Sequence, residues 1–296
     1  MTTPSSVVPT RLAFLGTPEL SVPFLVALVD AGYEIPLVVT GRDERRGRRE
    51  KPSSSPVKGA AADLGLPVTH DMREVPSSGA DLGVVVAFGQ LIPSEVLARL
   101  PMVNVHFSLL PRWRGPAPVE WALLSGDLTT GVCVIDVAQD FDRGGIHACT
   151  EVQIGSRETA EELRGRLVAV GVELLVSTLA AGLESPAAQE GETTWAKKLT
   201  VDDRELDWGE TAIVLDRLVR VGGAWTRLHG RRLKILAAEP SPGDPVGPPG
   251  LLIDDQVVTG DGLLRLVEVQ AEGRSRQPFL TWWAGARVDP GVRLGQ

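Results

Sequence analysis

Val103–Gly115 reads VNVHFSLLPRWRG, an apolar run that ends in an amide, an imidazole and a hydroxyl. Residues two apart on a strand share a face, so an extended backbone turns Asn104, His106 and Ser108 to one side. Pro111 then ends regular pairing. Three polar side chains on one face at a strand's end mark a site rather than a core.

Outward from this stretch, the first half of the chain alternates short β-branched runs with helical patterns. RLAFLG (11–16), IPLVVT (35–40), LGVVVAF (82–88) and MVNVH (102–106) read as buried parallel strands, apolar throughout because both faces are covered. SVPFLVALVDAG (21–32) has helical spacing and ends on Gly32, and PSEVLARLP adds a short helix. Thr159 opens a capping box, and Leu163, Leu167, Val170 and Leu174 form one stripe of the helix behind it. The pattern predicts an α/β fold, a Rossmann-like domain with a parallel-rich sheet. After about Ser185 the sequence turns polar, with a helix over ETAIVLDRLVRV and then short strands separated by PSPGDPVGPPG and DG. That texture predicts a small all-β barrel. The expected boundaries are a catalytic domain over 1–186, a linker over 187–207 and the β domain over 208–296.

Composition narrows the function classes. A formal charge of −8 argues against a general nucleic-acid coat protein. Residues 196–296 carry equal numbers of basic and acidic side chains, so the whole −8 falls on residues 1–195. Gly41–Lys51, GRDERRGRREK, runs against that trend as a cluster of positive charge. Cys133 and Cys149 form no CxxC and have no histidine cluster nearby, which suggests neither zinc nor a disulfide framework and fits a reduced cytoplasm. The start MTTPSSVVPT lacks a signal sequence, and no apolar run of about 18 residues occurs, so neither export nor a membrane span is expected.

In an open parallel sheet, ligands bind beyond the carboxyl ends of the strands, where Asn104–Ser108 lies. AQDFDRGGI, after the apolar run GVCVIDV, brings Asp140 and Asp142 into a glycine-containing loop. An amide donor, an imidazole and a carboxylate can together stabilise an oxyanion, move a proton and hold the imidazole in its charged or correctly tautomeric form. That set suits acyl transfer. A serine hydrolase with Ser108 as nucleophile lacks the G-x-S-x-G elbow, so Ser108 is read as a turn-former. FLGTPE (14–19) lacks the G-x-G-x-x-G spacing of a dinucleotide site.

Several segments carry a resemblance that spans nearly the whole chain: FLGTPE, SPVK (55–58), VVVAFGQLIP, NVHFSLLPRWRGPAP, GDLTTGVCVIDV, FDRGG, WAKKL, LDW, GAWT and LKI. In their order and approximate spacing the chain resembles the methionyl-tRNA formyltransferase family of formyltetrahydrofolate-dependent transferases. The resemblance implies Asn104, His106 and Asp142 as the catalytic group, with no metal. It implies 10-formyltetrahydrofolate as donor, held near Phe88, Gly89, Gln90, Leu91, Ile92, Pro93, Gln139 and Asp140. The acceptor implied is the α-amine of initiator methionyl-tRNA, and the β domain would be the family's OB-like barrel. Arg45, Arg46, Arg48 and Arg49 would contact the tRNA, where the family's G-R-G motif has become Gly47-Arg48-Arg49. Arg227, Arg231, Arg232 and Lys234 offer a further basic stripe. RVGGAWT (220–226) is shorter than the family's proline-containing counterpart. The expected protein is a cytoplasmic monomer. The alternatives are a formyltransferase for a nucleotide-linked amino sugar or other small amine, and a noncatalytic RNA-binding protein on an old enzyme fold.

Overall fold

The computed structural model describes residues 8–43, 53–244, 246–286 and 291–296. The chain divides into two compact units, one of residues 1–118, 129–153 and 164–197, the other of residues 119–128, 154–163 and 198–296.

The first unit holds a seven-stranded sheet. Its elements are β1 (Arg11–Gly16), α1 (Val22–Asp30), β2 (Glu34–Val39), α2 (Pro56–Asp63), β3 (Val68–Thr69), β4 (Leu82–Val86), α3 (Ser94–Leu97) and β5 (Met102–His106). β6 (Thr129–Asp136), β7 (Ile146–Gln153) and α5 (Ala160–Ala181) from Arg164 onward complete it, while α4 (Pro118–Ser125) from Val119 onward and the first turn of α5 fall in the second unit. The strand order is β3-β2-β1-β4-β5-β6-β7; β1 to β5 pair in parallel, and β6 and β7 are antiparallel additions at one edge. The expected α/β class with a parallel-rich sheet is observed. Apolar runs become central strands here because α-helical crossovers cover both faces, and Leu12–Leu15 and Val84–Val86 are accordingly buried. Pro36 interrupts β2, and the β1–β2 register slips between Arg11 and Ala13, as expected where a residue offers no N–H to the ladder. The Asp81 carboxylate accepts from Thr10 N–H and Arg11 N–H, which pins the start of β1 and holds its pKa below the ordinary carboxylate range.

The capping box at Thr159 forms in full. Thr159 N–H and Oγ1 donate to Glu162 Oε2 at 2.9 and 2.8 Å, and Glu162 N–H returns to Thr159 Oγ1. The buried stripe of α5 differs from the expected one. It runs Leu163, Leu167, Gly171, Leu175, Leu179, every fourth residue, and Val170 and Leu174 are half-buried.

The second unit carries α6 (Ala212–Val221), then β8 (Trp225–Leu228), β9 (Arg231–Ser241), β10 (Leu252–Ile253), β11 (Gln256–Val258), β12 (Leu263–Ala271), β13 (Gln277–Pro278) and α7 (Phe279–Ala286). Its strands pair antiparallel in the order β10-β11-β12-β9-β8, with β13 on β12. Leu215 and Val219 of α6 pack with Ile235, Val257, Leu264, Leu266 and Val269, which alternate inward from the sheet. Buried Asp216 accepts from Arg157 Nη1 at 2.8 Å and Arg220 Nε at 2.9 Å, and Arg220 also caps the Glu158 carbonyl. The shortened segment after Arg220 is a turn through Gly222 and Gly223 that leads α6 directly into β8.

Cys133 and Cys149 correct an expectation. Antiparallel pairing of β6 with β7 sets them directly opposite, with Cα atoms 4.2 Å apart, and they form a disulfide. Strand register, which no CxxC-type spacing reports, brings them together. Cys133 is fully buried and Cys149 is exposed on the edge strand. Thiol titration under denaturing, non-reducing conditions should therefore find no free cysteine, and two after reduction. Two free thiols without reductant would contradict the bond.

Candidate active site

β5 delivers Asn104 and His106 at its carboxyl end, in a parallel sheet with a strand-order reversal between β1 and β4. A cavity of about 590 Å³ opens there, within the first unit. Its wall is mostly apolar and comes from the ends of β4 and β5 and the segments after β4, β5 and β6, with Trp195–Lys197. Leu91, Phe141 and Trp195 line it with exposed side chains.

The expected trio meets. Asn104 Nδ2 and His106 Nδ1 each lie 3.5 Å from Asp142 Oδ1, the outer limit of a hydrogen bond. Gly115 N–H donates to Asp142 Oδ2 at 2.8 Å. His106 Nε2 lies 2.9 Å from the Trp113 carbonyl. A carbonyl only accepts, so Nε2 carries a proton and Nδ1 is the nitrogen turned to the carboxylate. His106 is 5 % exposed, so its ring is fixed by these contacts rather than by water.

Local backbone explains the placement. Asp142 has φ +53°, left-handed space that aspartate enters more readily than most residues. Ala87 and Trp113 share that region, and the three surround the cavity or grip its histidine. Such outliers cluster at functional sites. Gly144 has no room for a side chain, since a Cβ would collide with the Asp136 carbonyl, and this lets the loop fold back on the end of β6. Gly115 has φ +114°, and a Cβ there would approach the Ala196 carbonyl to 2.8 Å. The segment after β5 zips onto residues 194–196: Arg114 N–H donates to Thr194 O and Ala196 N–H to Arg114 O.

Of the other expected residues, Phe88, Gly89, Gln90, Leu91, Ile92 and Gln139 line the cavity. Pro93 stands outside that lining as the cap of α3, and Asp140 also stands outside, 3.5 Å from Arg143. Ser108 is fully buried and donates to the Arg112 carbonyl at 2.6 Å, the turn role expected of it. Arg45, Arg46, Arg48 and Arg49 lie outside the described residues. In the second unit, Arg227, Arg231, Arg232 and Lys234 are exposed on β8 and β9, with Arg227 and Arg232 over the Trp225 ring.

Sequence reasoning missed Gln189, Arg114 and the Gly115 amide. Gln189 donates from Nε2 to the Asp142 and Gly144 carbonyls, both at 2.8 Å, and its Oε1 accepts from Arg114 Nε and Nη2 at 3.0 and 2.5 Å. Burial lowers the pKa of Arg114, with neighbouring Arg143 acting in the same direction and Asp142 against it. Gln189 sits in a polar stretch indistinguishable by composition from any loop.

An amide, a tethered imidazole and a shared carboxylate meet on one wall of a mostly apolar cavity, a set that can stabilise an oxyanion and move a proton. Residues 10–179 match the family model described as formyl transferase, and residues 198–287 match the formyl transferase C-terminal domain. The chain belongs to the formyl transferase family. It is 39% identical over 307 residues to the methionyl-tRNA formyltransferase of Phenylobacterium zucineum (strain HLK1), covering 96% of this chain and 99% of that one. Identity to the methionyl-tRNA formyltransferase of Ruegeria pomeroyi (strain ATCC 700808 / DSM 15171 / DSS-3) is 37% over 303 residues, covering 96% and 100%. Within the family the chain stands with the methionyl-tRNA formyltransferases. The fold is shared with HypX from Aquifex aeolicus, solved in complex with tetrahydrofolic acid, at a TM-score of 0.64 and 18% identity, over 92% of this chain and 46% of that one.

His106→Ala, Asn104→Ala and Asp142→Asn should each slow group transfer by about two to four orders of magnitude, the scale of acid–base and electrostatic groups. Ser108→Ala should instead cost ~1–3 kcal/mol of stability by removing a buried hydrogen bond, with turnover within a few fold of wild type. Steady-state kinetics and thermal unfolding on the four variants separate these outcomes. Near wild-type turnover in any of the first three removes that residue from the group.

Proposed function

We infer that the protein transfers a formyl group from 10-formyltetrahydrofolate to the α-amine of methionine esterified to initiator tRNA. The observation that carries this reading is the meeting of Asn104 Nδ2 and His106 Nδ1 at one oxygen of Asp142 on the cavity wall. The identity to methionyl-tRNA formyltransferases over nearly the full chain names the acceptor.

The cavity suits a flat, ring-bearing co-substrate, because its wall is mostly apolar and carries Phe141 and Trp195. Phe88–Ile92 and Gln139 would hold the ring system, and we include Pro93 and Asp140 as residues that support those two loops. The bound donor would supply an electrophilic formyl carbon: the amine nitrogen forms the new C–N bond, the bond from that carbon to N10 of the folate breaks, and the proton lost by the amine ends on N10. Asn104 donates an Nδ2–H to the oxygen on which negative charge grows as the amine attacks, and His106, when protonated at Nδ1, places positive charge beside that oxygen. Asp142 Oδ1 sits between these groups, aligning both and accepting from the imidazole. Where the bound co-substrate covers the apolar wall, water would be displaced and each of these contacts strengthened.

The tRNA reading adds two basic regions, the arginine-rich segment over residues 45–49 and the stripe Arg227, Arg231, Arg232 and Lys234. Cytoplasmic action as a monomer belongs to the same reading, since aminoacyl-tRNA is made and used in that compartment. Its support is the substrate, as the Cys133–Cys149 bond withdraws the cysteine argument. Among the described residues no helix is long and apolar enough to cross a membrane.

Purified protein with 10-formyltetrahydrofolate, offered methionyl-tRNA and a nucleotide-linked amino sugar in parallel, should formylate the tRNA and leave the sugar amine essentially untouched. The reverse preference would overturn the assignment of the acceptor. Neutralising Arg45, Arg46, Arg48 and Arg49 together should weaken tRNA binding. The log–log salt dependence should flatten by about 0.7 to 0.9 for each phosphate that an arginine no longer neutralises. Folate binding should hold. An unchanged salt slope would remove that segment from the interface.

A further inference from the structure

We propose that Gln189 is a positioning residue for Asp142, closing a ring of contacts that holds the carboxylate against Asn104 and His106. The inference rests on the catalytic role of Asp142 argued above.

Every hydrogen-bonding position of the Gln189 amide is used. Its two N–H groups go to the carbonyls of Asp142 and Gly144, and its oxygen takes two N–H groups of Arg114. Only one orientation of the amide works, because a guanidinium only donates and a backbone carbonyl only accepts. The next residue after Arg114 is Gly115, whose N–H holds Asp142 Oδ2. The ring therefore runs from Gln189 through Arg114 and Gly115 to the Asp142 carboxylate, and back through the Asp142 carbonyl to Gln189. One side chain thus grips both the backbone of the left-handed residue and the segment that grips its carboxylate. Three stretches distant in sequence meet at this amide: Arg114–Gly115, Asp142–Gly144 and Gln189. The 3.5 Å contacts of Asp142 Oδ1 with Asn104 and His106 are long enough that a small drift of the loop would break them. Misplacement on that scale can cost about 100-fold in rate.

The chemistry of the ring separates its two halves. Gln189→Glu keeps an acceptor for Arg114 but loses both donors and turns negative charge towards two carbonyls. Gln189→Ala loses both halves. Turnover, KM for each substrate and thermal unfolding should be measured for both variants, alone and combined with Asp142→Asn. Both should lose about 10- to 100-fold in kcat, with KM values within about twofold and the unfolding temperature lowered by no more than about a few degrees, so that the protein stays folded under assay conditions. In the Asp142→Asn background either substitution should cost less than about threefold, because the group it positions is already gone. Wild-type kcat in Gln189→Glu, or an undiminished effect in the Asp142→Asn background, would overturn the proposal. Wild-type turnover in Asp142→Asn alone would strike the catalytic reading itself, a different failure.

Discussion

The Asp142 carboxylate is the point on which the candidate site hangs. One oxygen accepts the Gly115 amide and the other faces Asn104 and His106, so a single side chain joins the segment after β5, the end of β5 and the loop after β6. To reach that point the loop adopts left-handed backbone at Asp142 and folds closely on β6 at Gly144. The antiparallel addition of β6 beside β5 makes this possible: β6 runs back along β5 to end with Asp136 opposite Val103, and the loop that follows folds back to bring Asp142 to Asn104. A parallel neighbour would place that loop after a long crossover instead.

The same constraint accounts for the histidine. His106 is nearly buried, and burial of a ring with two polar atoms is tolerable only when both have partners. The Trp113 carbonyl serves one nitrogen and the Asp142 carboxylate faces the other. Trp113 reaches that position in left-handed backbone, anchored through its N–H to Thr194 Oγ1 at 2.9 Å. Arg114–Ala117 continues the attachment along residues 194–196. A polar stretch that composition describes as linker is thus the outer support of the site.

How much of this is legible in the sequence follows from the range of each interaction. The strands and α6 can be read because continuous apolar runs and period-3.6 patterns are local, and Asn104 with His106 share a face by the period-two rule of a strand. The expected stripe of α5 departs from the observed one beyond Leu167 because glycine carries no hydrophobic signal, although Gly171 lies against Phe24 and Val132. Asp142 is an ordinary loop acid by composition; pairing with the Asn and His raises it together with Asp140, and the resemblance to a family chooses between the two. Gln189 and the Cys133–Cys149 bond depend on contacts across long separations and on strand register, neither of which a local pattern encodes. The missing elbow sets Ser108 aside as nucleophile, and its hydrogen bond to Arg112 gives the physical reason for its place.

The central claim is that His106 and Asp142 act as one unit in formyl transfer. The most direct test is the double-mutant cycle of single-turnover formylation rates for His106→Ala, Asp142→Asn and the pair together. The account predicts that the double variant is within a few fold of the slower single variant, because removing either residue already disables the unit. Rate losses that multiply, with the double variant slowed by the full product of the two single effects, would contradict it.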